Sequence, residues 1–128
     1  MDYLMDKVYK YFQFLIEDPE FTIVSSNHID SNSGIVTISS NDLIIKLIIE
    51  RENLFMDLGN KKDYCNIIES YWIKKILNKS NNVKDNGSAE ANSIFLKENF
   101  NEIKILLNES NYLNTVKKAK DLYNERWS

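Results

Sequence analysis

The chain has 128 residues, of which 43% are hydrophobic, with six Phe, seven Tyr and two Trp. This is enough for one buried core without disulfides or metal, and it excludes a long disordered chain, which would be poor in aromatics. The net charge of −3 is unevenly spread: residues 1–60 hold ten acids and four bases, whereas residues 61–128 hold nine acids and twelve bases. The acidic first half repels nucleic acid phosphates and favours a basic protein partner through long-range attraction.

Leu4, Val8, Tyr11, Phe12 and Leu15 fall at helical spacing, and Pro19 forces Asp18 out of helical geometry, which predicts a helix over about Asp2–Glu17. The acids at Asp2 and Asp6 replace the positive charge of a secretory signal, so no export is expected. A lone Cys65 cannot close an internal disulfide. Set between Tyr64 and Ile67, it is expected to be a packed hydrophobe, and the expected compartment is the cytoplasm. The longest apolar run, Leu43–Ile49, contains Lys46 and is too short to span a bilayer as a helix, so no membrane partner is expected.

From Phe21 to Gly59 the pattern becomes β, with strands predicted at Phe21–Val24, Ile35–Ile38, Leu43–Glu50 and Leu54–Leu58. The links Ser40–Asp42 and Arg51–Asn53 are short enough to require hairpins, hence an antiparallel meander. Asn27–Gly34 reads as a longer polar connection in which Gly34 is free to take the positive φ that a bulge or turn requires. Helical spacing returns at Tyr64, Ile67, Ile68, Tyr71, Trp72 and Ile76, predicting a second helix over about Asp63–Asn78. Residues 79–88 read as a flexible loop that tolerates truncation. Ser88 caps a third helix that runs to about Asn108, and Ser110–Asn111 opens a last one reaching Trp127. The expected architecture is one α+β domain over residues 1–128: an N-terminal helix, a four-stranded antiparallel meander, then three helices packed on the sheet.

Familiar chemistry finds no residue set here. The single histidine, His28, lies in the predicted loop with no Ser or Cys tied to it, and one His with one Cys is too few ligands for zinc. The three glycines stand apart, so no phosphate loop forms. Asp30, Asp42, Glu50 and Asp57 are carboxylates of the catalytic type, yet nineteen acids make some pair inevitable. No catalytic residue, metal or cofactor is expected. The last helix carries Lys117, Lys118, Lys120 and Arg126, interrupted by Asp121 and Glu125, which reads as a solvated face and not as a nucleic-acid interface.

A regular pleat puts Leu43, Ile45, Leu47 and Ile49 on one face with Leu54, Met56 and Leu58, and this face is the expected core. The other face then carries Ile44, Lys46, Ile48, Glu50, Phe55 and Asp57. Either a helix of the same chain covers it or it is a protein interface. Tyr71 and Trp72 are adjacent on the second helix; they make either a wide buried stripe or an aromatic edge that anchors a partner.

Three segments carry a resemblance. A leading helix ends in Phe14-Leu15-Ile16-Glu17-Asp18-Pro19, a meander closes on Leu54-Phe55-Met56-Asp57-Leu58-Gly59, and the helical tail contains Asn111-Tyr112-Leu113-Asn114-Thr115. In this order they resemble small acidic immunity proteins of bacterial polymorphic-toxin and contact-dependent growth inhibition systems. The resemblance implies a cytoplasmic, non-enzymatic protein that binds a cognate toxin domain, often a nuclease, and blocks it. Ile48, Phe55 and Trp72 are the expected anchors, with Ile44 as a further partner-binding residue and Glu50, Glu52 and Asp57 as complements to a basic cleft. The alternative, a type III secretion chaperone holding an unfolded effector segment, would return to strands after the central helix.

Overall fold

A computed structural model describes residues 2–79 and 82–127. Helix α1 spans Tyr3–Ile16 and is capped by Asp2, whose carboxylate accepts from the Met5 N–H at 2.8 Å. Its stripe of Leu4, Val8, Phe12 and Leu15 is buried. Five strands follow in an antiparallel sheet of order β1-β2-β3-β4-β5: β1 Thr22–Asp30, β2 Ser33–Ser39, β3 Leu43–Glu50, β4 Asn53–Asn60 and β5 Ile68–Glu69. Helices α2 Ser70–Ile76, α3 Ala89–Glu98, α4 Phe100–Leu106 and α5 Tyr112–Trp127 complete the described chain. The α+β class and the meander thus stand. Among the described residues, however, there are five strands, with four α-helices after the sheet.

The expected core face is the core. Leu43, Ile45, Leu47, Ile49, Leu54, Met56 and Leu58 are buried with Val36 and Ile38 of β2, against α1 and Phe95, Leu96 and Ile103 of the later helices. Alternation along eight-residue strands fixes this, because a one-residue slip would move every apolar side chain to the other face.

Four local expectations need correction. Asn27–Gly34 is not a loop: β1 runs on to Asp30, and a two-residue turn leads into β2. The polar residues there suit an edge strand, whose side chains need no burial; the Asp30 carboxylate closes the turn by accepting from the Asn32 N–H at 2.9 Å. Gly34 does not have a positive φ. It is glycine for want of room, since a Cβ would lie 2.4 Å from the Asn27 carbonyl oxygen and 2.6 Å from Leu4 Cδ1.

The predicted second helix begins only at Ser70. Tyr64–Asn66 is a single 3-10 turn, and Ile67 is extended. Ile68 and Glu69 pair with Leu58 and Asp57, so these residues extend the sheet at the edge of β4 in place of an extra helical turn. Within the segment expected to be a flexible loop, Val83–Gly87 forms a 3-10 turn capped by Asn82. Residues 80 and 81 lie outside the described residues. Finally, the predicted third helix is two helices, because the Asn99 side chain donates to the Phe95 carbonyl at 2.9 Å and the backbone there leaves helical geometry. No described helix is long and apolar enough to cross a membrane.

A buried polar network ties the 3-10 turn and the helices to the sheet. Asn92, fully buried, donates through Nδ2 to the carbonyls of Leu54 at 2.9 Å and Asn86 at 3.0 Å, while its Oδ1 accepts from the Ser70 hydroxyl at 3.3 Å. Asn60, at the end of β4, donates to the Leu107 carbonyl at 2.9 Å.

Candidate protein-binding surface

Strand register builds the outer face of the sheet. Ile44, Lys46, Ile48 and Glu50 of β3 lie beside Ser39, Thr37, Ile35 and Ser33 of β2, and beside Gly59, Asp57, Phe55 and Asn53 of β4. Glu69 of β5 continues the row next to Asp57.

The chain covers the two ends of this face unequally. At one end a Cβ on Gly59 would stand 3.2 Å from Ile67 Cγ1, so the connection into β5 lies over the position paired with Ile44, which is 0% exposed. At the other end Gly87 packs against the Phe55 ring, where a Cβ would sit 3.2 Å from Cζ. Between them Ile35, Lys46, Ile48, Phe55 and Asp57 are each half-buried. No described helix seals that middle strip, whereas the opposite face of β2, β3 and β4 is buried.

A cavity of about 330 Å³ opens on the strip, lined by Ile48, Phe55, Asp57, Glu69, Tyr71 and Asn86 among others. Burial pushes the Asp57 carboxyl up to about 6, and the neighbouring Glu69 charge adds to this; Lys46 opposes both by a smaller amount. A second, wider cavity of about 690 Å³ lies at the β3–β4 hairpin and is lined by Glu50 and Glu52 with Ile29, Ser33, Arg51 and Asn53. Glu50 and Glu52 are exposed. The hairpin itself is pinned from α1: the Arg51 carbonyl accepts from Lys7 Nζ at 2.7 Å and from the Tyr3 hydroxyl.

Of the residues expected at a partner surface, Ile48, Phe55 and Asp57 line the first cavity, and Glu50 and Glu52 line the second. Ile44 and Trp72, expected at that surface, are buried. Ile44 has no accessible surface, and Trp72, 8% exposed, points into the groove between α2 and α5, stacked edge-on with Tyr123 at 5.9 Å. Tyr71 is buried to the same degree and lies at the strip in its place. Tyr71 and Glu69 escape sequence reasoning because their position depends on β5, and a two-residue strand has no periodicity to read.

Elsewhere the structure places the other candidates apart. His28 is exposed on β1 with Nε2 3.4 Å from the Asp2 carboxylate. Asp42 lines a separate cavity near Lys104. Cys65 is exposed at the rim of the α2–α5 groove, contrary to the packed position expected for it. Among the described residues, no three His, Cys, Asp or Glu side chains group to hold a metal ion. Compared with family models, curated proteins and solved structures, the chain matches none.

Proposed function

We propose that this protein is an immunity, or antitoxin-like, protein that neutralises a cognate bacterial toxin domain by direct binding, without turnover. The observation that carries the reading is the strip at Ile48 and Phe55. These apolar side chains keep accessible surface in the middle of a sheet, and their charged neighbours on that face are Glu50, Asp57 and Glu69 against Lys46. An apolar centre edged by three acids and one lysine carries a net negative charge, which suits a protein partner of the opposite sign. A basic toxin domain such as a nuclease has that sign. Exposed Glu50 and Glu52 then steer the encounter, and Ile48 and Phe55 become buried on docking.

The test is co-expression with the C-terminal domain encoded by the gene immediately upstream. The reading expects survival of the cells and a stoichiometric complex that persists through size-exclusion chromatography. Cell death at full expression of the folded protein would refute it for that partner, and a secretion-apparatus neighbour would redirect the search to an effector segment.

A further inference from the structure

The cavity between Ile48, Phe55 and Tyr71 holds several oxygen acceptors. Asp57 and Glu69 are register partners across β4 and β5 and both line it. Among the described residues neither carboxylate takes part in a hydrogen bond or an ion pair within 4 Å. Asn86, from the 3-10 turn, lines the same cavity, and its side-chain Oδ1 is buried with no hydrogen-bond partner. Of the three, the Asn86 oxygen is buried and lacks a donor, which is unusual because buried polar atoms are nearly always paired; the Asp57 carboxylate is half-buried and that of Glu69 exposed.

The nearby donors are committed or few. The Ser70 hydroxyl donates to Asn92. Lys75 and Arg126 sit over the Tyr71 ring, at 5.4 and 5.3 Å from its centroid. Lys46 stands opposite Asp57 in register and is the lysine that lowers its proton affinity, yet the combined effect of burial and Glu69 is larger.

We propose that this cavity is a socket for a guanidinium side chain of the bound partner. A guanidinium offers five N–H donors in a planar fork, which can bridge two carboxylates and leave a donor for the amide oxygen. Its weak hydration and flat faces suit walls of Ile48 and Phe55, whereas an ammonium is a compact, strongly hydrated point charge. The inference rests on the reading of this face as a partner surface and names the partner chemistry that the face selects.

The probe is N-acetyl-arginine amide, titrated into the isotope-labelled full chain and followed by NMR, with N-acetyl-lysine amide as comparison. Saturable shifts are expected at Phe55, Asp57, Glu69 and Asn86, with the arginine amide binding several-fold more tightly than the lysine amide. D57N and E69Q should each weaken it by about tenfold, as loss of a charge-assisted contact does. Both changes remove a like charge without changing shape, so an unaltered amide spectrum verifies the fold. The absence of saturable shifts, equal binding of the two amides, or full binding by the D57N/E69Q double variant would each overturn the socket. If the arginine amide binds as expected but the double variant still protects cells fully from the toxin, the socket stands and the assignment of the toxin to this face falls.

Discussion

Asp57 and Glu69 stand opposite each other across the β4–β5 ladder, two carboxylates in register where the sheet gains its fifth strand. Like charges directly opposite are unfavourable in a sheet. The arrangement gives the outer face its acidity, and its cost can be measured.

Asp57 should make stability depend on pH in a direction unusual for an aspartate. Its carboxyl is pushed up from 3.8 to about 6 in the fold, so the folded chain holds this proton more tightly than the unfolded chain. The associated stability is fully present below the unfolded value and is lost as pH rises through about 6. With ~1.4 kcal/mol per pH unit and a discount for partial exposure, the loss is about 1–2 kcal/mol. D57N should therefore gain about that much relative to the parent at pH 7.5 and nearly nothing at pH 4, by urea denaturation. An equal effect at both pH values would rule out the buried, Glu69-coupled carboxyl.

Gly34 should tolerate no side chain. An added methyl would meet the Asn27 carbonyl oxygen and Leu4 Cδ1, both closer than 3 Å. One neighbour is backbone and the other belongs to a fully buried leucine, so neither can yield cheaply. G34A should lose about 2–4 kcal/mol of stability. A thermal midpoint unchanged from the parent would show that α1 does not press on β2 there.

Asn92 holds the 82–88 segment to the sheet. N92A would leave the Leu54 and Asn86 carbonyls and the Ser70 hydroxyl without their partner, at a cost of about 2–4 kcal/mol. Amide hydrogen exchange should quicken in residues 84–88 and at Phe55, which that turn covers. Loss of stability with exchange unchanged in the turn would break the proposed link.

Charge reversal at the hairpin should act on encounter. E50K/E52K changes two exposed side chains that no described hydrogen bond or ion pair engages, so folding should be unaffected within ~0.5 kcal/mol. On the proposed function, association with a basic toxin domain should slow by about tenfold at low salt, and the difference should shrink as salt is added. Stopped-flow rates that are equal for parent and variant would move the steering surface elsewhere.

Cys65 should react as a surface thiol. In the native chain a disulfide reagent such as DTNB should modify one cysteine promptly, without denaturant, because the side chain is exposed. Modification only after unfolding would restore the packed position that the sequence suggested.

The sequence by itself determined what local periodicity controls. Leu4, Val8, Phe12 and Leu15 at helical spacing before Pro19 define α1, and the two-residue period that puts Lys46, Glu50 and Asp57 on one side of β3 and β4 decides which side is core. Wherever a strong period meets a clear stop signal, few folds bury the apolar set, and the residues alone identify it.

Only the tertiary structure decided the elements and side chains whose partners are far away in the chain. Ile67, Ile68, Tyr71 and Trp72 carry helical spacing, yet the open edge of β4 draws Ile68 and Glu69 into a ladder, and the helix starts later. That shift brings Glu69 beside Asp57 and sends Trp72 toward α5 while Tyr71 meets the outer face. In the same way the polar segment before Ser88 acquires order from Asn92 and Phe55, neither of which is its neighbour in sequence. Periodicity reports which side chains seek burial; which surface buries them depends on long-range backbone pairing and on the space left once the first helix and hairpins have packed.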